Sequence, residues 1–421
     1  MTKILTKIRQ MRPGVLLFFV LVAAVALGNG LSDGVYSNYF KEVYQVTAFQ
    51  RGLIEFPREL PGLLCAVVIG ALGFLGDLKT AFVAQVLSII GVTVLGLVTP
   101  AFSVMLIFLF INSMGMHMFM PLQDAIGMSL AEPNQVGKRM GQFFSTRAAF
   151  NLIAALLVFF GFRIGLFSFS TSVKWIFLVS AAAFAFASVI TLIMIKKVDV
   201  SKKTIRKNKL VIHKHYKYFY ILTILHGVQK QVAYVYGTWV IVDLLLKKAD
   251  TLALLSITVG FISIFFLNMI GQWMDKYGIK TMMYIDALTF IGVYIVYGLV
   301  VWGINSDILP SSGWAVWIVY LLYVSDRLSM QFGMVKSIYL RSIAFSEKDV
   351  VSTLSMGISL DHMVSIVAAI AGGLVWTMWG SQWVFFLAAL FSLGNLYVAI
   401  KVQPEKEKAY AETIRLTQSS E

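Results

Sequence analysis

Apolar runs of membrane-spanning length recur along the whole chain, each closed off by charges, glycines or prolines. The first begins at Val15 and continues with little interruption through Leu31. An α-helix rises about 1.5 Å per residue, so roughly 20 apolar residues cross a hydrocarbon layer of about 30 Å. Twelve runs reach that length, at about 14–40, 50–75, 79–99, 101–131, 137–165, 172–195, 216–246, 250–275, 280–303, 313–340, 350–378 and 381–402. The pattern predicts an all-α integral membrane protein with twelve transmembrane helices. Five of the eight prolines, Pro13, Pro100, Pro133, Pro310 and Pro404, fall at the boundaries of these runs. Pro57, Pro61 and Pro121 fall inside the second and fourth, where the lost backbone donor predicts kinks.

Composition supports a lipid solvent. Hydrophobic residues make up 58% of the 421, charged residues only 13%, and mean hydropathy is +0.80. A soluble domain carries about 25% charged residues. The net charge of +14 could point to nucleic acid, but its distribution does not: nine of the 35 Lys and Arg lie between Lys196 and Lys217, and most others sit at the ends of apolar runs. No nucleic-acid partner is expected. The single cysteine, Cys65, lies in an apolar run and allows no internal disulfide. No cleavable leader is expected, because the run from Val15 continues as a first span.

Charge asymmetry sets an orientation. One set of alternate loops, with both termini, holds 24 Lys and Arg; the other holds Lys41, Arg51, Arg163, Lys174, Lys247 and Lys248. Basic residues stay on the cytoplasmic side, so both termini and the loop at 196–215 are expected in the cytoplasm of a cell, the membrane being a bacterial inner membrane. Trp175, Trp302, Trp314, Trp376, Trp379 and Trp383 then fall near outer span ends and Trp273 near an inner one, where an indole favours the interface. The basic loop divides the chain into residues 1–195, a six-helix bundle; 196–215, a cytoplasmic linker; 216–402, a second six-helix bundle; and 403–421, a cytoplasmic tail. A weak repeat at an offset of 214 sets Val136–Gly141, Arg147 and Ala154-Ala155 against Val350–Ser355, Asp361 and Ala368-Ala369.

After the eighth run the sequence reads Gly271-Gln-Trp-Met-Asp275-Lys276-Tyr-Gly278-Ile-Lys280. It resembles the short loop motif of the major facilitator superfamily. The loop after the second run, Gly73-Phe-Leu-Gly76-Asp77-Leu-Lys79, keeps the glycines and the aspartate, and Glu132–Gly141 is similar to that superfamily's loop after span four. The resemblance implies two pseudo-symmetric six-helix bundles around a central cavity, alternating access, no cofactor, and spans three, six, nine and twelve as peripheral supports. It implies a gate-side structural latch for Asp77, Asp275 and Lys276. The drug/proton antiporter, peptide-transporter and sugar-porter signatures are missing, so no substrate follows from it.

A Lys, Arg or Asp at a span centre costs on the order of 2.5–3.5 kcal/mol to insert and survives by pairing or by lining a wet cavity. The spans hold Arg58, Arg147, Lys230, Arg327 and Lys336, and Asp33, Glu55, Glu59, Asp124, Asp243, Asp286, Asp326 and Asp361. These avoid the middles of the supports, Asp286 excepted. Helical spacing places Asn29, Asp33 and Tyr36 on one stripe, Arg147 and Asn151 on another, and His226, Lys230 and Tyr234 on a third. Asp326, Arg327 and Gln331 lie near the middle of span ten. The expected solute contacts are Asn29, Tyr36, Arg147, Asn151, His226, Lys230, Tyr234, Arg327 and Gln331. Asp33 and Asp361 are the first candidates for a coupling proton, with Glu55 and Glu59 in reserve. Arg58 and Asp326 are expected as gate or structural charges. Glu55, Arg58 and Glu59 could equally form a self-satisfied ion network, and Asp33 could pair with Arg58. His117 and His362 are expected to be hydrogen-bonded packing residues, Met114, Met116, Met118 and Met120 adaptable packing. No metal site is expected at His213 and His215.

These features predict a monomeric secondary transporter for a small polar organic solute of the sugar, sugar-acid or carboxylate class, with a proton as candidate co-substrate. An exporter of an amphipathic compound is the first alternative, although buried charges would then be left unpaired. A polytopic membrane enzyme is the rival from another class. It would need a catalytic His or acidic pair in an extramembrane region, whereas the outer loops span only a few residues. No enzyme activity is expected.

Overall fold

A computed structural model of the chain describes residues 11–132, 135–198 and 214–419. The basic linker expected at 196–215 therefore lies mostly outside the described residues. Among those described there is no strand. Helix α1 covers Pro13–Asp33, α2 Tyr36–Tyr44, α3 Ala48–Ala71, α4 Asp77–Leu97, α5 Phe102–Leu130, α6 Val136–Arg163 and α7 Trp175–Lys197. Then follow α8 at Lys217–Gln231, continued by π-helical turns at Val232–Gly237 and Val240–Leu244, α9 at Ala249–Asn305, α10 at Trp314–Ser329, α11 at Gly333–Ile343, α12 at Glu347–Trp379, α13 at Ser381–Lys401 and α14 at Pro404–Ser419. Eight helical segments are long and apolar enough to cross a membrane. One of them, α9, is 57 residues long, far more than one crossing needs. It is broken at Gly278, whose φ of 79° suits a residue without a Cβ.

That break corrects the comparison of the two loop motifs. In the first loop the positive-φ glycine is Gly76 (φ 75°, ψ 165°), and Asp77 follows it in the first turn of α4, where a carboxylate meets the positive helix end. In the second loop the glycine of matching conformation is Gly278 (φ 79°, ψ 163°), and Asp275 comes three residues before it. The two aspartates stand on opposite sides of their turns.

The chain forms two compact units. The first comprises Met1–Gln45, Leu60–Lys207 and Ala249–Leu254. In it α1 packs on α6 and α7, and α4 packs on α5 and α7. Small residues set the spacing: a Cβ on Gly30 would lie 2.6 Å from the Cβ of Ala154, and one on Gly28 2.9 Å from the ring of Phe184. The second unit comprises Val46–Glu59, Asn208–Lys248 and Leu255–Glu421, with α8 packed on α12 and α13. Tail helix α14 is tied in by Tyr339, which donates to Glu407 at 2.6 Å, and by Arg415, whose Nε donates to the Ala344 carbonyl at 2.8 Å. Helix α3 changes allegiance between Glu59 and Leu60, within the Pro57–Pro61 stretch where two backbone donors are missing.

Arg51 is corrected outright. Counted among the outer loop charges, it lies inside α3, 1% exposed, because its guanidinium meets Glu55 one turn on at 2.6 Å. Lys174 is likewise buried; its ammonium donates to Thr99 at 3.1 Å.

Candidate functional site

The polar groups of the second unit gather along α8. A step of four residues overshoots a 3.6-residue α-turn, whereas it falls short of an i→i+5 turn. Passing from α-helix to π-helix after Gln231 therefore reverses the drift, and His226, Lys230, Tyr234 and Thr238 stay near one face. Lys230 is the hub. Its Nζ lies 2.6 Å from Asp361 Oδ2 on α12 and 3.4 Å from Glu59 Oε2 on α3. His362 Nδ1 is 2.6 Å from the same Glu59 oxygen, and Gln231 donates to Glu59 Oε1 at 3.1 Å. His226 Nδ1 stands 3.7 Å from Asp361 Oδ1. Its ring fits because residue 333 is glycine: a Cβ there would lie 2.6 Å from His226 Nε2.

One ammonium thus bridges two carboxylates, with an imidazole beside each. Arg58 lies within electrostatic reach of Glu59, and Lys336 of Asp361. His362, expected as a hydrogen-bonded packing residue, is hydrogen-bonded to Glu59 in this network.

A second cluster surrounds Arg327 on α10. Its Nη2 donates to Thr238 Oγ1 at 2.9 Å and to Tyr323 OH at 3.1 Å. The guanidinium carbon lies 3.7 Å above the ring of Tyr234 and 4.9 Å from that of Tyr323. Asp326, adjacent in sequence, is within electrostatic reach of Arg327, with Oδ2 3.3 Å from where a Cβ of Gly237 would stand. Gln331 is half-buried in the turn joining α10 to α11. Deeper in α3, Glu55 Oε1 receives both Arg51 at 2.6 Å and Arg58 at 2.8 Å. A carboxylate held by two guanidinium groups suits structure better than proton exchange.

The first unit assembles no comparable ionic group among its described residues. Asn29 is half-buried and Asp33 exposed. The expected stripe ends there, because α1 stops at Asp33 and the chain turns before Tyr36. Tyr36 is 2% exposed, donates to Asn112 at 2.9 Å and stacks on Phe40. It packs the first unit and faces no opening. Arg147 and Asn151 are exposed on α6, with the Arg147 guanidinium 5.4 Å from the Phe144 ring. Asp275 and Lys276 are exposed, and Asp77 is half-buried.

Asp286 on α9 is the functional candidate that spacing missed. Its Oδ1 is buried and has no hydrogen-bond partner among the described residues. A lone carboxylate in a support helix gives no periodic signal.

Comparison with known proteins places this geometry in a family. No curated protein matches the sequence. Among solved structures, a variant of the nucleoside transporter NupG superposes with TM-score 0.74 at 14% identity, over 92% of this chain and 99% of that one. The crystal structure of a D-xylose-proton symporter gives 0.64 at 16%, over 90% and 96%. That of a POT family transporter in complex with 5-aminolevulinic acid gives 0.72 at 13%, over 92% and 95%. Identities this low speak for the fold alone. The model of the Major Facilitator Superfamily matches residues 18–346, well over half the chain, and the protein belongs to that family of membrane transporters.

Proposed function

We propose that the protein is a proton-coupled secondary transporter for a small polar organic solute, with the proton handled by Glu59, Lys230 and Asp361. The observation that carries this reading is the single ammonium of Lys230 between two carboxylates, 2.6 Å and 3.4 Å away. Protonating either carboxylate frees Lys230 from that partner and leaves it with the other. A rearrangement that favours one pairing over the other then changes proton affinity, and binding and proton release are coupled by linkage. Asp33 stays a secondary candidate on α1, and Asp361 is preferred for its contacts with Lys230 and His226.

The accompanying topology is twelve crossings, six in each half, with both termini in the cytoplasm and alternating access in a cell membrane. The segment of 57 residues in α9 is long enough for two of them. The solute belongs to the sugar, sugar-acid or carboxylate class, and the transporter acts as a monomer.

Uptake into liposomes containing only this protein, under an imposed pH gradient, tests the reading. Wild type should accumulate solute with the gradient. Asp361→Asn and Glu59→Gln should each lose accumulation while retaining counterflow. Gradient-independent uptake by wild type, or undiminished accumulation by both variants, overturns it. Turnover of a chemical bond in the same vesicles would favour the rival enzyme reading.

A further inference from the structure

We propose that Arg327 binds the carboxylate of the transported molecule, and that the solute is an organic monocarboxylate. This deepens the transport reading and rests on it only for calling the ligand a solute.

The starting point is a cation with unfilled donors. A guanidinium deep in a span is tolerated when it is paired or reaches water. Other basic groups of the same unit are met by carboxylates: Arg51 and Arg58 by Glu55, and Lys230 by Asp361 and Glu59. Lys336 lies within electrostatic reach of Asp361 and Asp286, and Arg327 within that of Asp326. Among the described residues, no carboxylate comes within 4.0 Å of Arg327. Its neutral neighbours occupy only part of it. An arginine carries five N–H donors; the two on Nη2 are taken by Thr238 and Tyr323, and Nε is buried without a hydrogen-bond partner.

What surrounds the guanidinium is a receptor for an organic anion. The Tyr234 ring covers one face at 3.7 Å, yet that tyrosine is 49% exposed, so the cluster opens on the side where Tyr234 stands. An apolar or hydroxylated body can lie against the phenol while its carboxylate takes the Nη1 N–H groups as charge-assisted hydrogen bonds. One cation matches one negative charge. A phosphate monoester brings about −1.5 to −2 and would need a second cation, which the cluster does not offer. Tyr234 follows Lys230 by four residues on the same element. A carboxylate at Arg327 therefore sits about one helical turn from the ammonium that the proton site controls.

Thermal unfolding of the purified full chain tests this without transport, since a ligand of the native state raises Tm by mass action. The probes are matched pairs, glucuronate and glucuronamide, lactate and lactamide, benzoate and benzamide, with glucose 6-phosphate as a further arm. At least one acid should raise Tm while its amide does not. Arg327→Gln should abolish the shift. Arg327→Lys, which keeps the charge but loses the planar fork, should weaken affinity by about tenfold or more. Should Arg327→Gln fail to fold, Thr238→Ala and Tyr323→Phe each remove one contact from Nη2 and should weaken binding severalfold. The proposal is overturned if amides protect as well as acids, if an acid protects the variants as well as wild type, if only glucose 6-phosphate protects, or if no acid protects. A failure of proton coupling in liposomes would leave a positive binding result standing. Transport of a neutral sugar with no acid binding would overturn this proposal alone.

Discussion

Arg147 and Asp361, 214 residues apart, are the two positions that the weak sequence repeat sets against each other, and their surroundings differ sharply. Arg147 is exposed on α6, its nearest aromatic ring 5.4 Å away. Asp361 lies on α12 with Lys230 at 2.6 Å and His226 at 3.7 Å. The contrast extends to the units that hold them. The first is built from close helix contacts at small residues and hydrogen bonds such as Tyr36 to Asn112, and its buried Lys174 is held by the Thr99 hydroxyl. The second buries ions and pairs them. Helix packing needs only shape at each position. A buried ion needs a particular partner, and once one half supplies the ionic chemistry the other is free to lose it.

The largest expected effect strikes the hub. Lys230→Met leaves Asp361 and Glu59 facing each other's charge without their cation. Removing one partner of a buried pair costs about 3–5 kcal/mol, and chemical unfolding should show a loss of that order. Adding Asp361→Asn to Lys230→Met should recover part of it, because the orphaned charge is gone. A Lys230→Met protein as stable as wild type would erase the distinction between the units.

Next come the small residues of the first unit. Gly30→Ala must push α1 away from Ala154, whose Cβ would be 2.6 Å off, and overpacking of this kind costs about 1–3 kcal/mol. Gly333→Ala in the second unit meets only the end of the His226 side chain, which can swing. It should cost less stability than Gly30→Ala and should disturb accumulation under a pH gradient more. The reverse ranking in paired melting and uptake measurements would break the comparison.

Eight apolar helical segments were legible, because a segment that crosses lipid must be apolar for roughly 20 residues. The turn at Gly278 was legible as a glycine motif, but the misplaced aspartates were not, since a local pattern does not say which side of a turn a residue falls on. Arg51 was misread because a charge near a run's end looks like a loop residue until its partner Glu55 is seen beneath it. The face of His226, Lys230 and Tyr234 could be read from spacing, although nothing in the composition of Val232–Gly237 announced π-helical turns. His362 could not be read as ionic, because Glu59 is 303 residues away in sequence. Tyr36 was misplaced because the stripe assumed one regular helix where the backbone departs from helical geometry at Val35 (φ −121°, ψ −6°).

The smallest effect on stability, and the sharpest test of the contrast, belongs to Arg147. It is exposed and not ion-paired to any described residue, and substitutions at such positions usually stay within about 0.5 kcal/mol. Arg147→Met should therefore melt like wild type. Lys230→Met, an equally simple removal of one positive charge from a helix, should not. The sequence placed Arg147 among the solute contacts, and its open position keeps it available for that role. A long-range attraction for an anionic solute would fade with ionic strength, since exposed charges are screened over about 8 Å at physiological salt. The expected outcome is a modest loss of solute affinity at low salt that shrinks as salt is raised, with unfolding unchanged throughout. An Arg147→Met protein destabilised as strongly as Lys230→Met would mean that the first unit, too, depends on a buried ionic partnership, and the division of labour between the halves would have to be abandoned.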